Sequence, residues 1–336
     1  MTAPIVASSK QVSYYCVPEV TEGETPANPV FIRIPKKPGE LTLKRETFTS
    51  EQVRGDRQTG TLGYGAESVD GTLETEFAFA DFDFLLQAAL CGDWQNDVLK
   101  VGQVKKPFTV ERVQNDLKKY RRFTGCLVNS LDLSVAPNAI VTASFALMGA
   151  TATYGDAILS GATYQEPANN DPFDSTGENV ALKAQLKING KPSNVVTSIS
   201  LKLDNGVAQA HVVGQRAVAT TGLGNSSVTG SLAFLYTGND ISDLFINRED
   251  VSLEFTLSGK GGAYTFLLPR IKLTSESPGE QDVFTIINAD FQALLDPTTD
   301  TNLQITRKAD TPPESPSQPS QAPSAGTDTT DTHTQG

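Results

Sequence analysis

The sequence predicts a mainly β protein: two tandem β-sandwich or barrel domains, each with one flanking α-helix, followed by a disordered C-terminal tail. Three observations carry this. Apolar and polar residues alternate with period two in several stretches, which turns one face of a strand to a core and the other to water. Helical periodicity is scarce. The chain also contains a copy of itself, displaced by 159 residues.

Along the chain, "MTAPIVASSK" lacks a basic segment followed by an apolar one, so no secretory leader is expected. The best helix is "DFDFLLQAALCG" (81–92). Asp81 is placed to cap it, Leu85, Leu86, Ala89 and Leu90 form a stripe, and Gly92 can end it. The stretch "ERVQNDLKKYRR" (111–122) reads as a weaker, polar companion helix. "SLDLSV" (130–135) alternates Leu131, Leu133 and Val135 with Ser130, Asp132 and Ser134. "GATYQEPANNDPFDSTGEN" (161–179) has the Pro, Asn, Asp and Gly content of a linker. "SISLKLDNG" (198–206) alternates Ile199, Leu201 and Leu203 before a turn signal, and "VSLEFTLSGKGG" (251–262) alternates Val251, Leu253, Phe255 and Leu257. From about Ala309 the chain is rich in Pro, Ser, Thr and Gln and cannot offset its ordering entropy by burial. The expected division is a first domain over 1–165, a linker over 166–180, a second domain over 181–306 and a tail over 307–336.

The repeat is read without gaps from Val53 to Leu85. Val53, Gly55, Arg57 and Thr61 meet Val212, Gly214, Arg216 and Thr220. Gly63, Gly65, Ser68, Val69, Gly71 and Leu73 meet Gly222, Gly224, Ser227, Val228, Gly230 and Leu232, and Asp81 and Leu85 meet Asp240 and Leu244. These are twelve identities in 33 positions, where ordinary residue usage gives on the order of two. Glycines so placed suit turns or close backbone approach. In the second copy Ile241, Leu244 and Phe245 fall on one helical face, matching Phe82, Leu85 and Leu86.

The stretch "SEQVRGDRQTG" carries Arg54-Gly55-Asp56, a tripeptide known from cell adhesion. Its copy keeps Gly214 and Arg216 but has Val213 and Gln215 where Arg54 and Asp56 stand. The frame is retained and the tripeptide is not, so adhesion is disfavoured. The loop is expected instead to make contacts between subunits, through Arg54, Gly55, Asp56, Arg57, Gly214 and Arg216.

Catalytic chemistry finds little footing. Only His211 and His333 are available, and His211 lies in a strand-like stretch. Cys16, Cys91 and Cys126 are odd in number and lack C-x-x-C spacing, which fits neither a disulfide framework nor a zinc site. The glycines are not followed by the Lys-Ser/Thr of a phosphate loop, and the acids Asp81 and Asp83 are explained by helix capping and exposure. No catalytic residue, cofactor or metal is expected, and no run of apolar residues is long enough to span a bilayer. Four of the acids lie in 309–336 without a Lys or Arg, so of the net charge of −12 the body carries about −8. That is the wrong sign for gripping nucleic acid. The basic clusters at Lys105-Lys106 and at Lys118, Lys119, Arg121 and Arg122 are read, rather than as a nucleic-acid site, as a solvated face or a salt-bridging contact with an acidic neighbour subunit.

The chain resembles the tail tube proteins of long-tailed, siphovirus-like bacteriophages, in a duplicated-domain form. The resemblance runs through "PEVTEGETPANPVFIRI" (18–34), "TFTSEQVRGDRQTG" (47–60) and "VDGTLETEFAFADFDFLLQAALCGDW" (69–94). It continues through "SLDLSVAPNAIVTASFALMG" (130–149), "YTFLLPRIKLT" (264–274) and "INADFQAL" (287–294). It implies a structural virion protein whose sandwich domains join edge to edge into stacked rings around a lumen that carries DNA, without holding it, during ejection. It implies a virion tail location with assembly in the bacterial cytoplasm, and partners such as the tape measure and terminator proteins. With two domains per chain, the ring is expected to be a trimer with pseudo-sixfold symmetry, and the loop 54–65 and its copy 213–224 are candidates for contacts between rings as well. Lumen candidates are the polar strand faces Ser130, Asp132 and Ser134, and Ser252, Glu254 and Thr256. The competing reading is a virion decoration or surface-adhesion β-sandwich protein. An adhesin calls for an export signal, and a decoration protein for small particles rather than polymers.

Overall fold

A computed structural model describes residues 6–37, 39–52, 55–175 and 186–310. The first half contains β1 (Val12–Pro18), β2 (Val30–Arg33), β3 (Leu41–Thr49), β4 (Leu62–Glu76), helix α1 (Asp83–Leu90), β5 (Val98–Lys100), β6 (Phe108–Gln114), β7 (Lys119–Val135), β8 (Thr142–Gly149), β9 (Thr151–Gly155) and β10 (Thr163–Gln165). The second contains β11 (Lys187–Ile188), β12 (Lys191–Pro192), β13 (Val196–Asp204), β14 (Ala208–Ala210), β15 (Thr220–Gly222), β16 (Ser227–Leu235), helix α2 (Asp240–Ile246), β17 (Val251–Gly259), β18 (Gly262–Gln281), β19 (Phe284–Ala293) and β20 (Gln304–Ala309).

One antiparallel sheet runs through both halves in the order β3-β4-β8-β7-β13-β16-β19-β18. A second layer covers it: β10-β2-β1-β6-β7-β9 in the first half, and β11-β17-β18-β20 in the second, with β5 of the first half added beside β20. The long strands β7 and β18 serve both layers. Each leaves the outer layer and enters the continuous sheet through a one-residue register shift, at Val128/Ser130 opposite β8 and at Leu273/Ser275 opposite β19. A bulge of this kind bends a strand and raises its twist.

The ladders repeat in step with the sequence. Gly71 pairs with Leu41 and Leu147, and its copy Gly230 pairs with Leu201 and Phe291. Strand β13 therefore stands where β3 does at a shift of 160, β19 where β8 does at 144, and β18 where β7 does at 145. The two glycines have one reason. A Cβ at Gly71 would stand 2.5 Å from the Glu40 carbonyl oxygen, and one at Gly230 would stand 2.2 Å from that of Ser200, its counterpart. Gly55 and Gly214 likewise share a left-handed backbone, with φ of 79° and 91°.

The alternating apolar residues face a core that both halves share. Phe77 and Phe79 pack on Tyr264 with ring centroids 5.6 and 5.0 Å apart, and Phe77 also meets Phe266. Tyr264 donates its hydroxyl hydrogen to Asp83 Oδ1 and accepts from the Ala80 N–H at 3.0 Å. Arg307 of β20 reaches Asp83 Oδ2 (2.5 Å) and Asp97 Oδ1 (2.8 Å) with its guanidinium over the Trp94 ring. Helix α1 thus belongs to the core of both copies.

Three local expectations are corrected. Residues 111–122 form the β6–β7 hairpin rather than a helix, with Glu111 opposite Arg122, Val113 opposite Tyr120 and Lys118 in the turn at φ 50°. The polar residues that suggested a solvated helix pair across the strands. Asp81 does not cap α1, whose cap position is Phe82 without a side-chain bond; its Oδ1 accepts from the Asn169 N–H at 2.9 Å. The left-handed C-cap is Cys91, while Gly92 is needed because a Cβ there would meet the Lys100 carbonyl oxygen at 2.3 Å. Within the expected linker, Phe173 is buried, exchanging backbone hydrogen bonds with Phe77 and Val141. The expected disordered tail lies outside the described residues from 311 onward.

Candidate assembly interface

The continuous sheet has two unlike faces. Leu131, Leu133 and Val135 of β7 and Ile199, Leu201 and Leu203 of β13 are buried in the core. The other face is hydroxyl-rich. Register sets Thr142, Ser134, Ser200, Ser231, Asp290 and Ser275 in one row across six strands. The neighbouring row holds Glu74, Ser144, Asp132, Lys202, Thr229 and Gln292. The lysines of this face are paired: Lys44 with Asp70 at 2.5 Å and Lys202 with Asp132 at 3.9 Å.

Between the halves lies a strand-to-strand seam. Six residue pairs join β13 to β7, from Ile199 opposite Val135 to Asp204 opposite Ser130. Asn205 closes it. Its N–H donates to Asn129 O (2.8 Å), and its buried Nδ2 donates to Ala89 O (2.8 Å) and Val128 O (3.0 Å). At the outer ends of the sheet, among the described residues, β3 pairs only with β4, and residues 272–281 of β18 pair only with β19. Pro278 lies in that free stretch, and a proline within a long strand belongs on an edge.

A loop secures the seam. Residues 205–226 of the second half, including the β14–β15 hairpin, lie against the first half. Arg216 donates from Nε to Glu67 Oε1 at 2.6 Å, its carbonyl accepts from the Glu67 N–H at 2.8 Å, and Arg45 Nε reaches the same carboxylate oxygen at 2.5 Å. Burial alone would push the Glu67 carboxyl up, but the hydrogen bonds and charges of Arg216 and Arg45 outweigh it and hold the group below its ordinary value. Glu22 does similar work: its Oε1 accepts from the Thr221 N–H (2.9 Å) and hydroxyl (2.5 Å), and its Oε2 from Lys105 Nζ (2.6 Å). Its carboxyl too is held low, against burial, by Lys105 and Thr221. Gln209 Nε2 adds a bond to Gly149 O at 2.9 Å.

The first copy's loop has no such seat. Gly55, Asp56 and Arg57 are exposed, and Phe48, Leu62 and Tyr64 at the end of the β3–β4 hairpin are more than half exposed. Arg54 lies outside the described residues. The structure therefore separates the loop candidates: Arg216 reaches across to the other half, whereas Gly214, Gly55, Asp56 and Arg57 are exposed. It separates the strand candidates too. Ser130, Asp132 and Ser134 lie on the polar face of the continuous sheet, whereas Ser252, Glu254 and Thr256 lie on β17 in the outer layer, with Glu254 paired to Lys187 at 2.7 Å and Thr256 to Thr265 at 2.8 Å. The basic clusters are largely ion-paired within the chain: Lys105 to Glu22, Lys106 to Asp93, Lys119 to Asp156 and Arg122 to Glu111. Sequence reasoning missed Glu67, Glu22 and Asn205, whose partners are remote in sequence; the one trace is that the repeat places Ser226 opposite Glu67.

Among the described residues no group of three or more His, Cys, Asp or Glu could hold a metal ion, and no helix is long and apolar enough to cross a membrane. No curated protein sequence matches the chain. Residues 9–293, nearly all of the two halves, match the phage tail tube protein family. That match covers well over half of the chain, so the protein belongs to the phage tail tube protein family and is a structural component of the tail.

Proposed function

We propose that copies of this chain join edge to edge into rings of three, that the rings stack into the tail tube, and that the polar face of the continuous sheet lines the lumen through which DNA passes during ejection. The observation that carries this is the internal seam. Strand β18 stands where β7 does and β3 where β13 does, so the free β18 edge of one copy is built like the edge that β13 already covers. Carrying the seam's register across gives Thr42 opposite Ser277 and Leu43 opposite Glu276 of the next copy. Edge strands left bare are hazards that ring closure removes. Three chains then repeat one joint six times, three within chains and three between them.

The lumen so formed presents Asp132, Ser134 and their row partners, while Ser130 is buried beneath with its hydroxyl 3.2 Å from Asp132 Oδ2. Hydroxyls, a surplus of acids and lysines already held by aspartates offer DNA no counterion-releasing grip, which suits passage rather than binding. Ser252, Glu254 and Thr256, in the outer layer, are left out of this lumen. Contacts with a tape measure or terminator protein fall at the tube's interior and end, and assembly precedes release from the host cytoplasm. The test is electron microscopy of purified tubes with averaging. Three chains per ring with six similar lobes are expected; six chains per ring, or particles that never polymerise, would overturn the reading.

A further inference from the structure

The seam between the halves also shows what a finished joint contains, and one part of it is missing at the free end. In the internal joint the clamped carboxylate Glu67 lies beside Thr151, whose Oγ1 reaches Glu67 Oε2 at 3.4 Å. In the second half the repeat puts Ser226 at the place of Glu67. It puts Leu295 at the place of Thr151, because the Leu294 N–H donates to Arg270 O (2.8 Å) as the Ala150 N–H donates to Thr124 O (2.9 Å). A cleft of about 790 Å³ opens here, bordered on the second half by Ser226, Leu295, Asp300 and Asn302 and on the first by residues 101–103 and Cys91. Ser226 Oγ and Asn302 Oδ1 are both buried without a hydrogen-bond partner. Buried polar atoms are otherwise almost always paired, so two orphans in one cleft point to a missing polar guest. The loop that would match it is exposed in the first half: Leu62 is 52% exposed, whereas its counterpart Thr221, seated in the internal joint, is 3% exposed.

We propose that residues 55–62 of one copy seat in this cleft of the neighbouring copy, against its second-half wall, with Arg57 facing Ser226 and Asp300. They would do so as residues 211–222 seat on the first half of their own chain. The inference rests on the edge-to-edge reading above and adds to it a lateral contact within the ring, where the sequence alone left the loop free to bridge rings. Ser226 cannot match the charge of Glu67; Asp300 at the cleft supplies an anion for Arg57 instead.

Paired cysteines test it. In the internal joint the 2.8 Å backbone bond between residues 67 and 216 brings these positions together like paired strand residues, about 5 Å between Cβ atoms, within reach of a disulfide after small shifts. E67C with R216C should therefore link within one chain and serves as the positive control. R57C with S226C should link chains to each other: oxidised tubes run on a non-reducing denaturing gel as multiples of the chain, with the 57–226 pair found by peptide mapping. Tubes that form normally and link in the control, but not through 57–226, would overturn the loop contact while leaving the ring intact. Should the double variant fail to assemble, wild-type chains give the answer by hydrogen exchange. Amides of residues 55–62 should slow at least tenfold on assembly, and unchanged exchange there would sink the proposal. Wild-type chains that form no rings at all would remove the edge-to-edge reading and this contact together.

Discussion

Glu67 and Glu111 are both buried carboxylates held by arginine, yet truncating the arginines should cost different amounts. Glu111 is fully buried, and Arg122, itself mostly buried, donates to it at 2.6 Å while the Tyr164 hydroxyl donates at 2.7 Å. Arg122→Ala leaves an uncompensated charge in the core and should destabilise the fold by about 3–5 kcal/mol, read from the urea midpoint. The Arg216 side chain is 66% exposed, and Arg45 still holds Glu67 in its absence. Arg216→Ala should therefore cost about 1 kcal/mol or less in the same measurement. The clamp also has a pH signature. Glu67 and Glu22 have carboxyls depressed in the folded state, so their contribution is full above their ordinary value of 4.5 and fades as pH falls through the lower folded-state value. Amides of residues 211–222 should open faster as the pH drops below that range, and Glu67→Gln should flatten the response. Of this clamp the sequence disclosed only Arg216, because its copy Arg57 marks it. Glu67 lies 149 residues from Arg216, and no periodicity links residues so far apart.

At the scale of elements, strands with one wet face were legible and their hairpins less so. The alternation in 130–135, 198–204 and 251–257 places every predicted apolar residue in the core, since a period of two has no other reading at that length. Residues 111–122 misled because β6 is flanked on both sides: Glu111 and Arg122 satisfy each other inside, erasing the apolar/polar alternation that marks a strand. The helices were found, but the left-handed cap of α1 is Cys91, and Gly92 instead makes room for the passing Lys100 carbonyl. Glycines of the repeat should differ in tolerance accordingly. Gly230→Ala drives a methyl into the Ser200 carbonyl and the Phe291 ring and should cost about 1–3 kcal/mol, whereas Gly222→Ala meets nothing within 4 Å and should change the thermal midpoint little.

At the scale of the whole molecule, the repeat was legible as a duplication and its consequence, one sheet across both copies, was not. Nothing in the sequence of β7 says that its outer neighbour is β13 rather than solvent, because the two edges of a sheet strand read alike. The seam also tells which backbone groups face a neighbour. The Asn205 N–H bonds to β7, so by alternation Leu203 and Leu201 face β7 as well, and their counterparts Leu43 and Leu41 face the open side of β3. Leu43→Pro should remove one outward donor while sparing the β3–β4 ladder; the expected outcome is a folded chain that sediments as a single copy under conditions where the unaltered protein is expected to polymerise. Joining two units in one polypeptide has a kinetic consequence as well. Half of the joints in a proposed three-chain ring form at the effective concentration of a tether, on the millimolar scale for a short linker, and do not depend on how many free copies are present. A ring then nucleates by a three-body encounter instead of a six-body one, so tube growth should start at lower protein concentration and respond less steeply to dilution than it would if the two copies were separate chains.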